Sequence, residues 1–235
     1  KYPMMKQAEI VAGADRAASL NVGTYCIVAS GRGPVDREID IVVNSVKTIK
    51  DKHKDMTICA CLGILKPEQA ERLKSAGVDR YNHNINTSAR NYKNITTTHT
   101  YDDRVQTVKQ AKAAGISPCS GVIVGMKETQ QDVIDMARSL RALDADSIPV
   151  NFLNAIEGTP LEGTHELTPR YCLKVLALFR FINPTKEIRV SGGREVNLGS
   201  LQPLGLYPAN SIFLGDYLTT DGQPGVEDKK MLEEM

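Results

Sequence analysis

A parallel α/β barrel of the TIM type, lacking its first strand, is the fold class the sequence predicts. Three observations carry it. Apolar runs with strand period alternate with helical ones along the whole chain, which implies a parallel sheet with right-handed crossovers. The connections between runs are short. The chain opens on a helix and supplies seven strands and seven helices, where a closed barrel of this kind needs eight strands. The rival architecture, an open doubly-wound sheet, would keep seven strands without a missing one.

Taken in order, residues 4–20 carry apolar side chains at helical spacing and 23–30 are rich in strand formers. Residues 35–52 read as a helix burying Ile39, Ile41, Val42, Val46 and Ile49. A strand over 56–63 precedes a helix over 67–77, with Pro67 at its start and Gly77 at its end. A strand over 80–86, a helix over 101–115 closed by Gly115 and a strand over 117–125 follow. Then come a helix at 128–144, a strand at 147–155, a helix at 168–182 stopped by Pro184, and a strand at 187–193. A broken helical stretch over 195–207 leads to a last strand at 211–215. The barrel domain is placed at residues 1–218, and residues 219–235, rich in Gly, Pro and charge, are expected to hang off it as a tail.

Composition narrows the function classes. The chain has 235 residues, 41% of them hydrophobic, enough for one domain with a sizeable core. A net charge of +1 offers no basic field for nucleic acid or a membrane surface. No apolar run approaches a membrane span and no signal-peptide pattern appears, so a cytoplasmic protein is expected. The chain begins at Lys1 rather than Met, which leaves room for a lost leader. Five cysteines, an odd number irregularly spaced, argue for a reducing compartment and against a disulfide framework.

Two patterns point to chemistry. In residues 80–86, Arg-Tyr-Asn-His-Asn-Ile-Asn, the amides Asn82, Asn84 and Asn86 recur with strand period and face one way. An amide donates and accepts at once, so such a face can fix a polar ligand without adding charge; a solvated edge strand is the bland alternative. Tyr81 and His83 fall on the other face, as packing residues. The second pattern is one of inward parity. Thr24, Cys26, Val28 and Ser30 share a face, as do Cys59 and Cys61, as do Cys119, Gly121, Ile123 and Gly125, and as do Arg189, Ser191 and Gly193. Each cysteine alone reads as a small core residue. Thiols on three strands, with an Arg on a fourth, suit the soft ligands of an iron–sulfur cluster better than zinc, since no Cys-x-x-Cys knuckle exists.

Six stretches then carry a family resemblance in order along nearly the whole chain. They are Tyr25-Cys26-Ile27-Val28-Ala29-Ser30-Gly31-Arg32-Gly33-Pro34, Ile58-Cys59-Ala60-Cys61-Leu62-Gly63, Tyr81-Asn82-His83-Asn84-Ile85-Asn86-Thr87, the run from Cys119 to Glu128, the run from Ile148 to Leu153, and the run from Arg189 to Glu195. The chain resembles the biotin synthase family of radical S-adenosylmethionine enzymes. The resemblance implies a 2Fe–2S cluster held by Cys26, Cys59, Cys119 and Arg189, with Cys61 as lining beside it. An Arg ligand is chemically unusual, because guanidinium is normally protonated. It also implies S-adenosylmethionine held by Asn84, Asn86, Gly121, Ile123, Gly125 and Glu128, and dethiobiotin held by Asn84 and Asn151. Inward parity adds Ser147, and Ser211 more weakly. The family's best-known members carry Asp where Asn86 stands, and an amide loses the charge-assisted bond to a ribose hydroxyl.

No side chain is assigned as a catalytic acid or base, because the expected reaction is sulfur insertion into dethiobiotin by a 5′-deoxyadenosyl radical. The family's 4Fe–4S cluster needs Cys-x-x-x-Cys-x-x-Cys, a spacing absent here, so its ligands are expected upstream of Lys1 together with the missing strand. The 235-residue chain alone is accordingly expected to form no 5′-deoxyadenosine from S-adenosylmethionine, and formation of it would overturn that expectation. A homodimer is expected from the resemblance, with iron–sulfur assembly and reductant proteins as further partners. Two other classes remain: an aldolase-like or phosphate-binding barrel enzyme, which would place a Lys at an inward strand centre, and a non-catalytic iron–sulfur sensor, which leaves the asparagine face unexplained.

Overall fold

The computed structural model describes residues 4–217 and 221–235. The chain forms two compact units, one built from residues 1–83 and 102–119 and the other from 84–101 and 120–235.

The first unit opens with α1 (Gln7–Ser19), β1 (Thr24–Val28), α2 (Asp36–Lys52), β2 (Thr57–Cys61), α3 (Pro67–Ala76) and β3 (Arg80–Asn82). After α4 (Ala89–Ile95), which belongs to the second unit, α5 (Tyr101–Ala113) leads back to β4 (Ser117–Cys119). The strands pair in parallel in the order β1–β2–β3–β4, with Cys26 level with Cys59, Cys59 with Arg80, and Asn82 with Cys119. Helical periodicity explains the packing: Ile39, Val42, Val46 and Ile49 of α2 are all fully buried. Pro67 starts α3, and Gly77, at φ +103°, caps it in the left-handed conformation.

The second unit continues with β5 (Val122–Val124), α6 (Gln130–Ala142), β6 (Ser147–Phe152), α7 (Pro169–Ile182) and β7 (Glu187–Val190). It ends with α8 (Arg194–Leu198), a 3-10 turn over Gly199–Leu206, β8 (Ser211–Ile212) and α9 (Gly225–Glu233). Again the strands are parallel, in the order β5–β6–β7–β8. Each unit therefore repeats the strand–helix alternation read from the sequence.

Three details differ from the sequence reading. The strand expected over 117–125 is two, β4 and β5, interrupted at Ser120–Gly121. There the backbone comes against Pro149: a Cβ on Gly121 would stand 2.0 Å from the Pro149 carbonyl oxygen. The asparagine strand is three residues long, and Asn86 turns out of it at φ +65°. Asn is among the few side chains that tolerate this left-handed geometry. Lastly, the tail does not hang free. Asp228 of α9 is fully buried and its two carboxylate oxygens each accept from Arg194 Nη2 at 2.7 Å, with Arg194 only 1% exposed.

Asp132 ties α4 to α6. Its carboxylate accepts from Ser88 Oγ at 2.5 Å, Arg90 Nη2 at 2.7 Å, and the amide and hydroxyl of Thr129 at 2.8 and 2.6 Å. Burial pushes this carboxyl up, but the bonds from Ser88, Thr129 and Arg90 outweigh it and hold it below the usual carboxylate range. A depressed folded-state value means the stabilisation is present at neutral pH and fades as pH falls through and below the ordinary carboxylate range. Asp132→Ala is expected to cost about 2–3 kcal/mol at pH 7, the scale of hydrogen bonds to a charged group, and markedly less at acid pH. Urea titrations of both proteins at the two pH values check this.

Candidate functional site

Three thiols adjoin on one face of the first unit's sheet. Parallel register sets Cys26 beside Cys59, and Cys119 lies level with Asn82, whose Nδ2 donates to Cys119 Sγ at 3.1 Å. Cys59 and Cys119 are buried, and all three are free of disulfides. The Cys59 thiol is pushed well above its usual range, by proton sharing with Cys119, then with Cys26, and by burial. Cys61, two residues along the same face, is pushed up to about 12, mainly by burial. Arg80 stands level with Cys59 in the sheet register, and the positive charge of Arg104 acts on the Cys61 thiol against its burial. Among the described residues no three His, Cys, Asp or Glu side chains converge as a chelate for a single metal ion. A two-iron cluster asks for something else, ligands divided between two metal centres, and adjoining buried soft thiols fit that need.

In the second unit the asparagine stretch meets the Gly-rich run. Along residues 81–86 buried and half-exposed positions alternate, with Tyr81, His83 and Ile85 buried and the three asparagines half-exposed. Asn84 Oδ1 accepts from the Gly121 amide at 2.9 Å. The Asn86 amide donates to the Gly121 carbonyl at 3.2 Å, and its carbonyl accepts from the Ile123 amide at 2.8 Å. Gly125, at φ +104°, donates its amide to Glu128 Oε1 at 2.7 Å. The second carboxylate oxygen of Glu128 is buried without a protein partner. Such a group is costly unless a ligand or water satisfies it, so a polar group bound beside Glu128 would meet an acceptor already in place.

Asn151 fastens neighbouring strands. Its Nδ2 donates to the Val122 carbonyl at 2.9 Å and its Oδ1 accepts from the Gly192 amide at 3.0 Å. One N–H and one lone pair of this amide remain for a ligand. Ser147 Oγ donates to Glu187 at 2.9 Å, Arg189 pairs with the same carboxylate, and Arg189 Nε donates to Ser211 Oγ at 3.1 Å. One network thus spans β6, β7 and β8. The Ser191 hydroxyl, on the Arg189 side of β7 by parity, is buried without a protein partner. Cys172 lies apart from these groups in the sequence, on the buried side of α7.

Sequence reasoning did not find Glu187 or Asn197. Asn197 Nδ2 donates to the carbonyls of Leu153 at 3.1 Å and Gly193 at 2.9 Å, holding the ends of β6 and β7. The spacing of Glu187 and Arg189, opposite charges two apart on a strand, was the available signal for the first; nothing local marks the second.

Comparison with known proteins places this geometry. Residues 1–140 match the model of the Radical SAM superfamily, and residues 149–235 that of the Biotin and Thiamin Synthesis associated domain. Among solved structures, methylornithine synthase (PylB) is similar with a TM-score of 0.77 at 20% identity, over 88% of this chain and 61% of that one. The hydrogenase maturase HydG is similar with a TM-score of 0.79 at 18% identity, over 98% of this chain and 56% of that one. These likenesses show the fold, an α/β barrel of the TIM type as radical SAM enzymes have. Biotin synthase of Bacillus licheniformis is 73% identical over 234 residues, 100% of this chain and 70% of that protein. Biotin synthase of Bacillus subtilis strain 168 is 71% identical, with the same two coverages. The chain belongs to the biotin synthase family.

Proposed function

We propose that this chain supplies the substrate and auxiliary-cluster part of an enzyme that converts dethiobiotin to biotin. The adjoining thiols of Cys26, Cys59 and Cys119, the last two buried, carry the reading. When bound, S-adenosylmethionine with its 4Fe–4S cluster supplies a 5′-deoxyadenosyl radical, and the 2Fe–2S cluster supplies the sulfur that enters between two unactivated carbons. The protein's own contribution is position, because a misplaced substrate would present the wrong carbon. Cys26, Cys59 and Cys119 hold the 2Fe–2S cluster as thiolates, and the resemblance names Arg189 as its fourth group, oriented by Glu187 and Ser211. Asn84, Asn86, Gly121, Ile123, Gly125 and Glu128 hold the adenosyl cofactor. Asn84 and Asn151 pair the polar ureido atoms of dethiobiotin, with Ser147 and Ser211 nearby through the network around Glu187.

A homodimer in the cytoplasm, served by iron–sulfur assembly and reductant proteins, completes this reading. Phe181 and Tyr207, 82% and 80% exposed, are candidate dimer contacts, and light scattering of a Phe181→Glu variant tests them. No helix among the described residues is long and apolar enough to cross a membrane.

Asn151→Ala is expected to weaken dethiobiotin binding by about 1–3 kcal/mol, the cost of leaving a buried polar partner unpaired. Its iron content after anaerobic reconstitution should equal the parent's. Calorimetric titration with dethiobiotin measures the first and an iron assay the second. Unchanged affinity would remove Asn151 from the substrate site.

A further inference from the structure

One buried hydroxyl in the second unit is left over once the substrate and cofactor groups are assigned. Ser191 is 4% exposed, and its Oγ has no hydrogen-bond partner among the described residues. Its backbone is committed: the amide donates to the Val150 carbonyl at 3.1 Å, and the carbonyl faces the Tyr217 hydroxyl at 3.4 Å. A buried hydroxyl gives up its water on folding, so an unpaired one is unfavourable unless a ligand or water restores the bond.

Register shows what stands beside it. Ile123 of β5 is level with Asn151 of β6. Between β6 and β7, Pro149 is level with Arg189 and Val150 with Val190. The Ser191 amide carries that ladder one residue further, which keeps Ser191 level with Asn151. The Phe213 amide donates to the Val190 carbonyl at 3.0 Å and extends the β7–β8 ladder in the same way, so Phe213 is level with Ser191. Ile123, Asn151, Ser191 and Phe213 therefore form one level of the sheet and project from one face.

The Asn151 amide reaches to both neighbouring strands, through the Val122 carbonyl and the Gly192 amide, and keeps one N–H and one lone pair. Tyr217 stacks on Phe213 with ring centroids 5.4 Å apart. An amide and a hydroxyl thus occupy adjacent positions, flanked by an aliphatic side chain on one side and an aromatic pair on the other. Such a lining suits a compact polar head carried on a hydrocarbon stem.

We propose that Ser191 is a further substrate-binding residue. Its hydroxyl accepts an N–H of the dethiobiotin ureido group, beside Asn151, which pairs other polar atoms of that group. This deepens the substrate reading above and rests on it. A hydroxyl can serve there without adding charge to the site.

The test compares the parent chain with Ser191→Ala in two measurements. Calorimetric titration should show the variant binding dethiobiotin about tenfold more weakly, the scale of one lost hydrogen bond. Thermal melting of the ligand-free variant should give a midpoint equal to or above the parent's, because a methyl group is buried without the cost of an unpaired hydroxyl. A hydroxyl that served the fold alone would do the reverse, lowering the midpoint on removal and leaving affinity unchanged. Should Ser191→Ala fail to fold by circular dichroism, Ser191→Cys, near in size and only a weak acceptor, decides by the same comparison. Affinity equal to the parent's in the folded variant overturns the role of Ser191 and leaves the substrate reading standing. A parent that binds no dethiobiotin removes both.

Discussion

Asp228→Ala is expected to lower stability by about 3 kcal/mol, because it leaves the buried Arg194 guanidinium with only the longer carboxylate contact to Glu195 at 3.4 Å. The two side chains are 0% and 1% exposed, and they join α8 to the C-terminal helix α9. Burial of Asp228 outweighs the attraction of Arg194 and holds its carboxyl above the ordinary value, so the pair is not a strong net stabiliser. The double substitution Arg194→Met with Asp228→Leu should therefore recover most of the loss. Thermal unfolding of the three proteins decides it: a double variant no better than the single one would show that the pair itself holds α9 in place.

Gly121→Ala is expected to have an effect at least as large. The added Cβ would meet the carbonyl oxygen of Pro149 at 2.0 Å and its carbon at 2.8 Å. Neither neighbour is a flexible side-chain end, so β5 and β6 would have to separate. The cost should exceed about 4 kcal/mol, the range reserved for a few mechanisms of which backbone strain is one. The same shift would pull the Gly121 amide from Asn84 and its carbonyl from Asn86. Binding of S-adenosylmethionine to the cofactor-competent protein should thus fall with stability. Gly23→Ala, where nothing lies within 4 Å, is the matched control and should unfold like the parent. A Gly121→Ala protein with the parent's melting temperature would refute the close-approach argument.

Much of the fold was legible because the signals were local. Apolar periodicity gave α2 and α7, and Pro67 and Gly77 bounded α3 to within one residue. Two helices escaped. α4 is short and mostly polar, and α9 is dense with charge, so neither carries an apolar stripe long enough to read. The break at Ser120–Gly121 was hidden in a run of strand formers, since its cause is the distant backbone of Pro149. At the site, strand parity was enough to bring out the cysteines and the amide face. The partners of those groups were not legible. The bond of Asn84 to Gly121 spans 37 residues and that of Asn151 to Gly192 spans 41, and only register across strands determines such pairs. Asn86 kept its place on the half-exposed side but not its strand geometry, because a left-handed residue leaves no periodic mark.

The interleaving of the two units also orders events during synthesis. The first unit draws on residues 1–83 and then waits for 102–119, while the intervening segment belongs to the other unit. As the chain leaves the ribosome, Cys26, Cys59 and Cys61 emerge well before Cys119, and β3 has no neighbour on one side until β4 arrives. A nascent chain halted after β3 and before β4 presents an unfilled sheet edge in the unit that carries these three thiols. On the proposed ligand set, metal delivered at that moment would lack Cys119, so the set of Cys26, Cys59 and Cys119 is complete only once β4 has been made.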